Sequence, residues 1–177
     1  MDYNARFYAP YMTKRNVNSN SDPAEYIDIP DEKKHPGLPG NTIIFNDADM
    51  SVGLLIHEMG HAFDFHAGQA DYDDASYFSW SDQYNETVPG WKYDDRWDYT
   101  ASGTPASSYG GRDPDEDFAE TFTWDVINQM LEKNITVDTG LRVYERPDQN
   151  RIVSLQQAWN HLSPIKDRTR TQGAVGR

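Results

Sequence analysis

The chain has no cysteine. That excludes a disulfide framework and thiolate chemistry, and leaves His, Asp and Glu as the strong metal ligands available. It does not fix a compartment, because cytosolic proteins and many secreted bacterial ones share the absence. No apolar run approaches the roughly 20 residues that a membrane span requires, so no membrane partner is expected. Positive charge is scarce as well: 16 Lys and Arg stand against 29 Asp and Glu, a net charge of −13. A surface of that sign repels nucleic acid and attracts cationic peptides over about a Debye length. It is equally the surface of a protein merely kept soluble. The opening Met1-Asp2-Tyr3-Asn4 lacks the features of a signal peptide.

What is present suffices for one domain. The 177 residues are 37% hydrophobic, an ordinary share once the 12 Gly are added. With 11 Tyr, 7 Phe and 5 Trp, general disorder is excluded. The expected boundaries are a domain over 1–164 and a flexible, cation-bearing tail over 165–177.

The chain is organised around His57-Glu58-Met59-Gly60-His61. Residues four apart share a helix face, so His57 and His61 can aim two imidazoles at one point. Glu58, one residue after the first His, can reach a water held there. Two ligands and a general base in this spacing form the HExxH arrangement of zinc metallopeptidases. Val52, Leu54, Leu55, Ile56, Met59, Ala62, Phe63 and Phe65 make the helix apolar nearly all round, hence buried. It should run over 51–66, with Asp47, Asp49 or Ser51 as its cap and Gly68 near its end. Asp64 is a candidate carboxylate behind a liganding His, or an exposed acid. His66 is one residue out of register for the metzincin third ligand and is not assigned to the metal.

Tyr3, Phe7, Tyr8 and Tyr11 dock on the domain, and Asn16 to Asn20 is a loop. Ser21-Asp22-Pro23 opens a short helical turn. His35, in an irregular Pro/Gly connection, is a surface His. Asn41 to Asn46 is a strand, either an edge that a peptide could extend or an interior strand. Residues 68–112, with Trp80, Trp91 and Trp97, form a long loop that covers or flanks the cleft.

Asp113-Pro114-Asp115-Glu116 starts a second helix, over 113–133, with an Asp cap, Pro at the first position and acids in the first turn. Glu116 and Glu120 share a face with the small residues Ala119 and Thr123. Glu116 is either a capping-box Glu or a third ligand, and Glu120, Asp117 and Asp115 compete with it. Ile135-Thr136-Val137 and Leu141 to Tyr144 are β-like. Ser154-Leu155-Gln156-Gln157 opens a last short helix that Pro164 ends.

The HExxH sequence, followed by Tyr109-Gly110-Gly111-Arg112-Asp113-Pro114-Asp115-Glu116-Asp117-Phe118-Ala119-Glu120-Thr121-Phe122, resembles the catalytic domain of anthrax lethal factor and its relatives, among them the bacterial secreted Pro-Pro endopeptidases. In that family a Tyr precedes the ligand Glu by seven residues and Phe-Ala-Glu-x-Phe follows, as here. The resemblance implies an α+β, zincin-like domain, with a small mixed sheet packed on the HExxH helix and a second helix carrying the third ligand. It implies one catalytic Zn2+ on His57, His61 and Glu116, with Glu58 as base, Tyr109 as oxyanion donor and Glu120 orienting a ligand. It implies an endopeptidase acting on peptides, basic ones by the charge argument; a monomer is expected, and a secreted location, with a cytoplasmic one as the alternative. The motifs are further apart than in the family and the segment before the first is short. Two other readings stay open: a binding or inhibitory domain with a vestigial zinc, and a zincin of another clan with Asp64 or a loop Asp as ligand.

Overall fold

The structure, a computed structural model, describes residues 11–15, 24–27, 41–46, 51–69, 79–83, 88, 103–139 and 143–162. Tyr3, Phe7, Tyr8, Asn16 to Asn20, Ser21 to Pro23, His35, Asp47, Asp49, Trp91, Trp97, Leu141, Arg142, Pro164, the tail and most of the 68–112 loop lie outside the described residues.

Among the described residues the fold is mixed α+β. Strands β1 (Tyr11–Arg15), β2 (Ala24–Ile27) and β3 (Thr42–Asn46) form a sheet in the order β1-β3-β2. β3 runs parallel to β1, with Tyr11 opposite Thr42, and antiparallel to β2, with Ala24 opposite Phe45. Both sides of β3 are therefore paired, which decides between the two readings of this strand in favour of an interior one. Ile43, Ile44 and Phe45 are buried in succession, the pattern of a strand covered on both faces. β1 and β2 were not anticipated. Neither carries a β-branched and aromatic run like Thr42-Ile43-Ile44-Phe45: β1 reads Tyr-Met-Thr-Lys-Arg and β2 reads Ala-Glu-Tyr-Ile.

Helix α1 (Val52–Gln69) follows. The Ser51 hydroxyl caps it, accepting the Leu54 N–H at 3.1 Å. It passes through Gly68 and runs three residues beyond the expected end, so that glycine is no stop signal. A short 3₁₀ turn, Trp80–Gln83, lies within the long loop. Helix α2 (Pro114–Glu132) starts where expected, and Asp113 accepts the Glu116 N–H at 2.8 Å. Helix α3 (Gln149–Leu162) starts five residues before the expected Ser154. Its cap is Asp148, which accepts from the Asn150 and Arg151 N–H groups at 3.0 and 3.2 Å. Ser154 is inside the helix and accepts the Trp80 indole N–H at 3.1 Å instead. The β-like residues 135–137 and 143–144 are not strands. The chain after α2 is held by a Gly53 N–H to Asp138 carbonyl bond of 3.0 Å, with no strand beside it among the described residues to complete a ladder.

Two apolar clusters sit on opposite faces of α1. Leu54 packs with Ala24, Ile43 and Phe45 of the sheet. Ile56, Phe63 and Ala67 pack with Phe118, Phe122 and Ile127 of α2 and with Leu155, Ala158 and Leu162 of α3. Burying each such phenyl contributes roughly 2 kcal/mol. Arg151, fully buried, donates to both oxygens of Asp117 at 2.7 and 2.9 Å and so ties α3 to α2.

The α1 and α2 backbones approach closely at Gly60, where an added Cβ would lie 2.8 Å from the Cα of Ala119 and 3.0 Å from its carbonyl oxygen. In a free helix Gly60→Ala would stabilise by about 1 kcal/mol. Here it is expected to destabilise by about 1–3 kcal/mol, because the two backbones must part. Urea unfolding without added metal reads the sign; a stabilised variant would mean that the helices do not touch there.

Candidate metal centre

The contact at Gly60 and Ala119 places one turn of α1 against the first turns of α2. Three side-chain atoms converge there. The Nε2 of His57 lies 3.0 Å from the Oε2 of Glu116 and 3.2 Å from the Nε2 of His61. His61 Nε2 lies 3.5 Å from the same Glu116 oxygen. Together these residues could hold a metal ion. A tetrahedral zinc with bonds of about 2.0–2.1 Å has ligand-to-ligand edges of about 3.3 Å, which these spacings match. The chemistry of the donors fits as well. Glu116 Oε2 is buried and no well-directed hydrogen bond reaches it. A cation satisfies that oxygen and both ring nitrogens at once.

The far side of the His57 ring is fixed. Its Nδ1 lies 2.7 Å from Oε1 of Glu120, whose side chain is fully buried. If the imidazole is neutral, Nδ1–H donates to Glu120 and the lone pair of Nε2 faces the centre. Without a cation the proton load differs. Burial opposes a charge on His57, yet the carboxylates of Glu116 and Glu120, one against each ring nitrogen, outweigh that and push its pKa up to about 9. Burial also works against the Glu116 carboxylate, but the two His rings hold its pKa well below the usual carboxylate range.

Glu58 is buried beside this group. Desolvation raises its pKa, opposed by the two His and by a hydrogen bond from the Tyr26 backbone N–H of β2. Tyr109 donates its hydroxyl to Oε1 of Glu116 at 3.0 Å, and its ring meets the His57 ring edge-on at 5.7 Å. The Arg112 guanidinium lies over the tyrosine face, 4.4 Å from its centroid.

The competing acids are engaged elsewhere. Asp117 pairs with Arg151. Asp115 accepts from the Ser81 hydroxyl at 2.6 Å. Asp64 is not behind a His; its carboxylate takes the Ser81 N–H at 2.7 Å and lies 2.5 Å from the Ser81 hydroxyl, which corrects the role expected for it. One hydroxyl carries one proton, so one of those two carboxyls must bring another. Burial and the nearby Asp115 charge push Asp64 well above the usual carboxylate range, which marks it as the protonated partner. Glu116 resolves its own alternatives: its backbone N–H serves the cap while its side chain turns inward.

Ser107 was not anticipated. Its hydroxyl donates to Oε2 of Glu120 and accepts the N–H groups of Tyr109 and Gly110 at 3.1 and 3.2 Å. A Ser two residues before a turn Tyr, accepting from the second and third residues on, is a local turn signal readable in sequence. Its link to Glu120 is not. No protein-family model, curated protein or solved structure matches the chain.

Proposed function

We propose that this chain is a zinc-dependent endopeptidase of the zincin type, with His57, His61 and Glu116 as the metal ligands. The observation that carries the reading is the meeting of those three ligand atoms at tetrahedral spacing with a buried carboxylate, Glu58, beside them. The motif resemblance to the lethal factor catalytic domain supports it independently. A bound zinc supplies Lewis acidity, lowering the pKa of a water and polarising a carbonyl. Glu58 takes the proton of the attacking water and returns it to the leaving amine. Its raised pKa suits a group that must hold a proton between those steps. Tyr109 transfers its hydroxyl hydrogen bond from Glu116 to the developing oxyanion. Glu120 holds the His57 ring in one tautomer. With a net charge of −13, basic peptides are the substrates that the surface draws in.

The test is a random peptide library incubated with protein of measured zinc content, with and without a chelator. Cleavage that the chelator stops and zinc restores is expected. A zinc-loaded protein that binds peptides without cutting any would instead make it a binding domain.

Tyr109→Phe separates the roles of that residue. One oxyanion donor is worth about 100- to 1000-fold in kcat, and a loss of that order is expected at saturating zinc with KM little changed. Unchanged kcat would confine Tyr109 to holding Glu116.

A further inference from the structure

Ser107 lies outside the zinc ligands and outside the groups that act on substrate, yet it joins the two parts of the site. A hydroxyl has one proton and two acceptor lone pairs. All three are used: the proton goes to Glu120, and the lone pairs take the backbone N–H groups of Tyr109 and Gly110. With both lone pairs occupied, the direction of donation is settled, and Glu120 must accept from Ser107 on Oε2 as it faces His57 Nδ1 with Oε1. The Tyr109 turn is pressed against α2 at this point. A Cβ added to Gly110 would lie 3.2 Å from the Cβ of Glu120 and 3.3 Å from the Cα of Asp117. The turn is closed by the Arg112 N–H on the Tyr109 carbonyl at 3.1 Å.

We infer that Ser107 is a positioning residue that couples the Tyr109 turn to the His57 ring through Glu120, so that metal affinity and oxyanion donation depend on one hydroxyl. The inference rests on the zinc-endopeptidase reading above. Through Glu120, Ser107 fixes which His57 nitrogen presents its lone pair. Through the two N–H groups, it fixes where the tyrosine hydroxyl stands. Glu120 alone could do the first and the turn alone the second. The shared hydroxyl links them.

The experiment uses the full chain and five proteins: wild type, Ser107→Ala, Ser107→Thr, Ser107→Ala combined with Tyr109→Phe, and Tyr109→Phe by itself. Tyr109→Phe alone, already described, supplies the fourth corner of the cycle. Zinc affinity is read by chelator competition, kcat and KM at saturating zinc, and melting temperature without metal. Loss of an outer partner of a metal ligand typically costs about 10- to 100-fold in affinity or activity. Ser107→Ala is expected to show such a loss in zinc affinity and a loss in kcat with KM nearly constant, and Ser107→Thr to recover most of both. In the Tyr109→Phe background, Ser107→Ala should lower kcat less than it does alone, while its zinc defect persists. The inference is overturned if Ser107→Ala binds zinc and turns over like the wild type, if the kcat losses of Ser107→Ala and Tyr109→Phe are fully additive, or if Ser107→Thr is as impaired as Ser107→Ala. It is also overturned if Ser107→Ala lowers only the melting temperature. Wild type that takes up no zinc in the same titration removes the metal reading itself; wild type that binds and cleaves while Ser107→Ala matches it removes only the coupling.

Discussion

Glu58→Gln is expected to lower kcat by about 100- to 10,000-fold while the protein still takes up zinc. The two side chains have almost the same shape, so the packing of α1 should not change. What changes is the ability to accept a proton. Glu58 is buried, and desolvation holds its pKa above that of an exposed glutamate. A carboxylate there is a stronger base than in water, and an amide is no base at all. The Tyr26 N–H that Glu58 accepts can equally be accepted by the amide oxygen of the substituted side chain, so the contact with β2 need not be lost. Turnover and metal content are measured on the same preparation. Full turnover in Glu58→Gln would remove Glu58 as the base, whereas lost turnover with lost zinc would mean that the substitution disturbs the ligands rather than the proton transfer.

The HExxH helix, its Ser51 cap and the Asp113-Pro114 start of α2 are legible in sequence because each is a local signal. Apolar residues all round α1 foretell its burial for the same reason. The short strands are harder. β1 and β2 depend on pairing with β3, which spacing along the chain does not reveal. The start of α3 differs from the expected one because two caps compete within six residues. Ser154 looks like a capping box, but Asp148 precedes it, and Arg151 is already in the helix binding Asp117. In the candidate site, the positions of His57 and His61 follow from the 3.6-residue turn alone. The inward turn of Glu116 does not. It depends on α2 approaching α1 at Gly60 and on Arg151 holding Asp117, on another face of the same helix. Asp64 shows the converse: three residues after His61 it lies close in sequence, yet its partner Ser81 comes from the loop.

The second large effect concerns charge at the ligands. Without metal, His57 and Glu116 form an ion pair, with the His57 pKa raised to about 9. Zinc must displace that proton, so binding at about pH 7.5 is expected to release about one proton from His57; a His of ordinary pKa near 6.5 would be mostly neutral there and release about a tenth of one. Apparent zinc affinity should therefore keep rising up to about pH 9, by about tenfold per pH unit for a single proton, rather than levelling off near 7. The same shift fixes the sign for metal-free stability. A raised pKa stabilises the folded chain fully below pH 6.5, and that contribution fades as pH climbs to about 9. The lowered pKa of Glu116 acts at the acid end, where its contribution is lost as the carboxylate takes up a proton. Glu116→Gln removes the carboxylate proposed as the third metal ligand and also a partner that raises His57. It is expected to weaken zinc by more than the roughly 100-fold typical of losing an outer partner, and to flatten the fall in metal-free melting temperature between pH 6.5 and 9. Calorimetry in buffers of different ionisation enthalpy gives the proton count directly. Unchanged zinc affinity in Glu116→Gln would exclude Glu116 as a ligand, and proton release near zero in the wild type at about pH 7.5 would exclude the ion pair on which the pH dependence stands.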